Sequence, residues 1–487
     1  MAVLIVILII AMLVLGKGIG SVQIGSFSEP SEIVPAPVIN DKIKGYWSSM
    51  GVNLALTDLN DAKEMTDIGI NTITFSPALT HTEEGKVSES LGTEAQVKKT
   101  INKAHKASIR VMLETTPMNA GAVPPAVTNV KLFQDEMTRV ALKYAAIAEE
   151  YNVAFFAPIV EPGHHMSIPE ADEWLQELLP KLREVYSGPI MWKKQAMHLT
   201  ELKEWDQDHI MTLGFKMDKA MTNIRMKSTH EHGLTLGLSE YQVSLSEYAG
   251  DTEKFSEQGE IALVDSQWHT LRIEMEGNQI RIYIDDELMM ERTDDSGPMG
   301  GYSISADDMR INRFEITDME GTTLFNEEFE TLNNWNAQSG WVLEEGEIAI
   351  TSQTGSGLIH DVDYSGYDYI AIDTFKRGKV DTIQEYVDFL EFVVDKTNDQ
   401  AESDGVPNVI IAEFGGSIEE IIGWPDIDER AKIPLTETEL AQVTQMVLEM
   451  SEDKVDGHMY NGWSIKGQGL DKMPEIKEVI RKWYTSH

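Results

Sequence analysis

Two glutamates attract attention because each closes a long apolar run and is followed at once by residues that end a strand. Glu161 lies in VAFFAPIVEPGHH (153–165) and Glu413 in VIIAEFGG (409–416). A carboxylate at such a tip is desolvated on one side and open to a ligand on the other. Two of them across one mouth can hydrolyse a glycosidic bond. One protonated carboxyl serves the leaving oxygen, while one carboxylate, about 5 Å away in retaining enzymes, attacks the sugar. Unequal surroundings must hold one pKa up and leave the other low.

Other residue types fit around that pair. His164 and His165 follow Glu161 and suit sugar hydroxyls or tuning of its pKa; ordinary solvation is the alternative. Trp463 and Trp192, at strand tips, suit stacking under the CH face of a sugar, with core packing as the alternative. Asp373 and Glu114 are strand-tip acids that suit hydroxyl binding or a rim ion pair, and Trp47 stands near the first strand. No HExxH or comparable ligand spacing points to a metal, and neither a phosphate loop, a Ser-His-Asp pattern nor a nicotinamide fingerprint points to a cofactor.

Positioning such tips requires a parallel sheet with helical crossovers. Strands are expected at 45–53, 72–77, 110–115, 153–161 and 189–193. Helical periodicity lies between them, opening at Thr57 and ending at Gly69, then through Val97, Ile101 and Ala104, then Leu132 to Ile147, then 172–186. From about Trp205 the texture changes to alternating strands and turn signals, including a hairpin over 270–284 joined through Glu276-Gly277-Asn278. The strand–helix rhythm resumes with strands at 367–375, 408–414 and 455–464 and helices at about 382–396, 437–450 and 474–483. Five strands plus three make eight. The expected fold is α/β, a (β/α)8 TIM barrel interrupted after strand 5 by an all-β sandwich of jelly-roll or concanavalin-like type. Two separate α/β domains flanking the sandwich are the alternative.

The expected division is 1–24 signal peptide or N-terminal membrane anchor, 25–40 Pro-rich linker, 41–204 first barrel part, 205–363 inserted sandwich and 364–487 second barrel part. Residues 2–16 are an unbroken apolar run, short for a span, and the linker contains SFSEPSEIVPAPV. An extracellular or cell-surface protein follows, secreted or tethered to a membrane. The 487 residues carry 40 Lys+Arg against 81 Asp+Glu, a net charge of −41 spread along the chain, which argues against nucleic acid as a partner. Such acidity suits a saline habitat or ordinary solubility equally. There are no cysteines, so disulfides and thiolate sites are excluded.

The barrel parts resemble the clan of retaining (β/α)8 glycoside hydrolases that includes cellulases and β-mannanases. The matching pieces are Gly51-Val-Asn53, Asp67-Ile-Gly-Ile-Asn-Thr72, Glu161-Pro162, Tyr367-Asp-Tyr-Ile-Ala-Ile-Asp373, Glu413-Phe-Gly415 and Trp463. The resemblance implies Glu161 as acid/base at the tip of strand four and Glu413 as nucleophile at the tip of strand seven. It departs at Val160, where many members carry an asparagine that contacts the sugar 2-hydroxyl. Residues 265–273 and 277–286 resemble a concanavalin- or laminin-G-like sandwich, in a circularly permuted order. That resemblance implies glycan binding or a spacer role, and some such modules hold calcium. The expectation is hydrolysis of β-linked poly- or oligosaccharide by double displacement. The alternative is a non-catalytic surface glycan-binding or adhesion protein with a degenerate barrel.

Overall fold

The structure is a computed structural model. It describes residues 33–38, 41–48, 52–117, 127–196, 208–217, 222–226, 232–239, 241–249, 252–261, 263, 267–293, 301–306, 309–329, 335, 341–344, 346–350, 355–357, 362–376, 382–418, 433–464 and 469–486. The expected export segment and most of the Pro-rich linker lie outside these residues. At 33–38 the chain runs along the helix Thr93–Lys106, where the Val34 N–H donates to Asn102 Oδ1 at 2.8 Å.

Eight parallel strands form one sheet: β1 Ile43–Trp47, β2 Thr72–Phe75, β3 Arg110–Glu114, β4 Phe155–Ala157, β5 Met191–Gln195, β6 Tyr369–Asp373, β7 Asn408–Phe414 and β8 Gly457–Asn461. Their order is β4-β3-β2-β1-β8-β7-β6-β5. The ends meet through bridges Phe156–Ile190 and Val160–Lys193 and through the Glu161 N–H, which donates to the Lys193 carbonyl at 3.2 Å. The sheet thus closes into the expected barrel. β1 ends at Trp47, earlier than expected, because the Leu54-Ala55-Leu56 segment enters a helix over Val52–Asp58. Longer helices follow the later strands, at Val130–Glu150, Ile168–Val185, Ile383–Asp404, Glu437–Ser451 and Pro474–Ser486. Three of them start on capping boxes that the sequence spells out as Ser167/Glu170, Thr382/Glu385 and Thr436/Glu439.

Side chains of the strands divide by parity. Ile43, Met112, Phe155, Ala157, Met191, Ala371, Ile410, Ala412 and Met459 fill the lumen, while the alternate residues join the helices in a much larger outer core. Gly45 is needed there, since a Cβ on it would lie 2.7 Å from the Thr72 carbonyl and 2.8 Å from Met459. The lumen is therefore plugged below its mouth, and polar tip residues stand on an apolar floor.

Between β5 and β6 lie two antiparallel sheets, of six and eight strands, that share a second apolar core of residues such as Leu213, Ile273, Phe314, Ile224, Leu236 and Ile304. The alternation at Thr270–Met275 and Gln279–Ile284 places Leu271, Ile273, Ile280 and Ile282 inside, as period two requires.

Candidate active site

Continuing the lumen parity upward brings the strand tips to the mouth: Trp47, Glu114, Lys193, Asp373 and Asn461, with Glu161 just past β4. Glu413 is the exception. Val409 and Ile411 belong to the outer core, so strict alternation would turn residue 413 outward as well. The register with both neighbours shifts at this point, and Asp373 pairs with Glu413 directly after Ile372 pairs with Ile411. This bulge turns Glu413 to the lumen side beside Ala412. Glu161 has its own local device, a left-handed backbone with φ 49° ahead of Pro162, which costs a non-glycine residue about 1–2 kcal/mol.

Lys193 is the hub of the mouth. Its ammonium is fully buried, donates to Glu114 Oε2 at 3.0 Å and stands 3.3 Å from Asp373 Oδ2. Glu114 Oε1 also accepts from Trp47 Nε1 at 2.6 Å and from Ser76 Oγ at 3.1 Å. The Lys193 Nζ lies 5.3 Å from the Trp47 ring centroid. Burial works against the charge on Lys193, but Asp373, Glu114 and Glu413 outweigh it and hold its pKa above the ordinary lysine value.

The carboxylate pair sits around this hub with unequal partners. Glu161 keeps a quarter of its side chain exposed, and its Oε2 is 3.1 Å from His164 Nε2. Gln195 in turn approaches the same His164 nitrogen. Glu413 Oε1 accepts from Asn461 Nδ2 at 2.8 Å. Burial pushes the Glu413 carboxyl well above the usual carboxylate range and Asp373 adds to the rise, while Lys193 opposes it and Glu161 and Glu114 add to it again. Asp373 is likewise raised by burial, pulled back by Lys193 and raised further by Glu161 and Glu114. Glu161 and Glu413 thus feel each other across one mouth.

Of the residues singled out from sequence, Glu161, Glu413, His164, Asp373, Glu114 and Trp47 converge. The tryptophans expected to stack on sugar do not. Trp192 has the parity of the outer wall, where it packs edge-on against Tyr364 and Tyr367. Trp463 is wholly buried in the outer core, 6.1 Å from the Tyr46 ring and donating from Nε1 to Asp61 Oδ2 at 3.1 Å, so neither indole offers an open face. His165 is also internal, stacked on Phe133 and edge-on to His81; burial, then His81 and His164, bring its pKa down to about 3. Lys193, Asn461, Gln195 and Ser76 were missed. Counting in steps of two from the lumen-facing Met191, Met459 and Thr74 reaches all four. Among the described residues no group of three His, Asp or Glu has a metal-holding arrangement.

No protein-family model matches the sequence, and no curated protein matches it. Solved structures similar to it include the GH113 β-mannanase AaManA from Alicyclobacillus acidocaldarius, at 9% identity over 92% of this chain and 98% of that one with TM-score 0.45. An endoglucanase matches at 8% identity over 87% and 89% with TM-score 0.41. The carbohydrate-binding module CBM66 from Bacillus subtilis matches 21% of this chain and 68% of its own at 14% identity and TM-score 0.19.

Proposed function

We propose that the chain is a retaining glycosidase acting on β-linked poly- or oligosaccharide, with Glu413 as nucleophile and Glu161 as acid/base. The observation that carries this reading is the pair of tip glutamates opening on one mouth with different partners: His164 at Glu161, and the Asn461 amide with the Lys193 ammonium at Glu413. In the first step a Glu413 oxygen bonds to the anomeric carbon as the bond from that carbon to the leaving oxygen breaks, and Glu161 gives that oxygen its proton. In the second, water attacks the anomeric carbon, its proton returns to Glu161, and the ester to Glu413 breaks. Lys193 and Asn461 favour an ionised Glu413 against the burial and the neighbouring acids that raise it.

The test uses aryl β-glycosides and β-linked polysaccharides on wild type, Glu161→Gln and Glu413→Gln. A nitrophenolate leaves without a proton, so Glu161→Gln should lose polysaccharide cleavage far more than aryl-glycoside cleavage. Glu413→Gln should lose both, and wild-type rates in Glu413→Gln remove that residue from the mechanism.

A further inference from the structure

Asp373 is the least satisfied group in the mouth. It ends β6 in register with Glu413, its residue is 2% exposed, and among the described residues neither carboxylate oxygen has a well-formed hydrogen bond. Its one cationic neighbour among the described residues is Lys193, 3.3 Å away, which already donates to Glu114. Across the mouth, buried Asn461 gives its Nδ2 to Glu413, and its Oδ1 has no donor among the described residues. Glu114, Asp373 and Glu413 therefore share the Lys193 ammonium, Glu161 adds its charge to Asp373 and Glu413, and the Asp373 carboxylate and Asn461 Oδ1 are acceptors. Carboxylates this close are relieved by a proton or by a further cation.

We infer that the mouth accepts a glycan whose sugar at the cleavage point carries a protonated amine, with Asp373 as the counter-ion of that ammonium. This rests on the reading of Glu161 and Glu413 as the catalytic pair. Adjacent strands are about 4.8 Å apart. C2 is bonded to the anomeric carbon and its nitrogen lies two bonds from C1, so a 2-amino sugar that presents C1 to Glu413 can turn its nitrogen toward Asp373 on the adjacent strand. An ammonium brings three donors and a positive charge. A hydroxyl brings one donor without charge, and an acetylated amine leaves the charge balance as it was. With the ammonium seated, two cations stand among four acids of which one, Glu161, holds a proton, so Glu413 ionises more easily in the complex than alone.

The experiment compares kcat/KM of the full chain on β-1,4-linked glucosamine hexamer, its N-acetylated form, and glucose and mannose hexamers. We expect the amine-bearing hexamer to be preferred by about tenfold or more, equivalent to about 1.4 kcal/mol. Asp373→Asn should shrink that preference ratio by a similar factor. Because Asp373 also pairs with Lys193, the same hexamers are titrated by calorimetry into Glu161→Gln, which retains Asp373. There the amine-bearing hexamer should hold its advantage only in the pH window where Asp373 is ionised and the amine still protonated, losing it as the amine deprotonates at higher pH and as Asp373 protonates at lower pH. Cleavage of neutral hexamers at least as fast as the amine-bearing one overturns the inference and leaves the carboxylate pair standing. Tight binding of the amine-bearing hexamer without cleavage by wild type keeps the cation site and overturns the pair as catalysts. Neither binding nor cleavage of any of the hexamers overturns both.

Discussion

Lys193 and Lys194 are neighbours on β5, both buried, on opposite faces of the barrel wall. Lys193 points into the mouth among Glu114, Asp373 and Glu413, and its charge is reinforced. Lys194 points into the outer layer, where its Nζ has no hydrogen-bond partner among the described residues and lies 4.9 Å from the Tyr364 ring; burial brings its pKa down to about 7. His164 and His165 are also neighbours with different surroundings, one beside Glu161 and open by a quarter, the other sealed against Phe133 and held neutral. Burial penalises the charge on both lysines, and the facing partners decide whether that charge survives.

The strongest way to break this comparison is Lys193→Met. It leaves buried carboxylates without their cation and should cost about 3–5 kcal/mol in urea unfolding at neutral pH. Lys193 also lowers the Glu413 pKa, so in any folded fraction the acidic limb of kcat/KM against pH should move to higher pH. An unmoved limb would detach Lys193 from Glu413.

Lys194→Met should do the reverse and stabilise the chain by roughly 1–4 kcal/mol at pH 7. An amine whose folded pKa is depressed binds its proton more readily when unfolded. Its penalty is therefore full below about pH 7 and fades as pH rises toward the ordinary lysine value of 10.5. The advantage of the variant should shrink over that window. Equal losses from both lysine variants would show that partners do not discriminate between the two faces.

The smallest effect is expected at His165→Phe, near zero at pH 7. The wild-type histidine, neutral when folded, is protonated first in the unfolded chain, so it drains stability as pH falls from 6.5 toward about 3. The variant should resist acid unfolding better, by on the order of 3 kcal/mol near pH 4. Parallel pH curves for the two proteins would mean that His165 is not held neutral.

Much of this architecture was legible beforehand. Apolar runs, helical periods and turn clusters are local signals, and counting them gave eight strand–helix units around an all-β stretch. Glu161 and Glu413 were legible because apolar strands ending in Glu before Pro or Gly are local signals too. The tryptophans were misread because being at a strand end says nothing about which face the ring takes. Trp192 differs from Lys193 by one position, and that single step sends it to the other side of the wall.

The sequence by itself determined the strands, their alternation and the acids at their tips, because propensity and periodicity act over a few residues. Tertiary structure decided that β4 meets β5 to close the barrel, that a bulge in β7 turns Glu413 against its own alternation, and that one lysine serves several carboxylates contributed by separate strands. Those depend on groups up to hundreds of residues apart arriving within a few ångströms, where Coulombic and desolvation energies become large enough to choose a charge state.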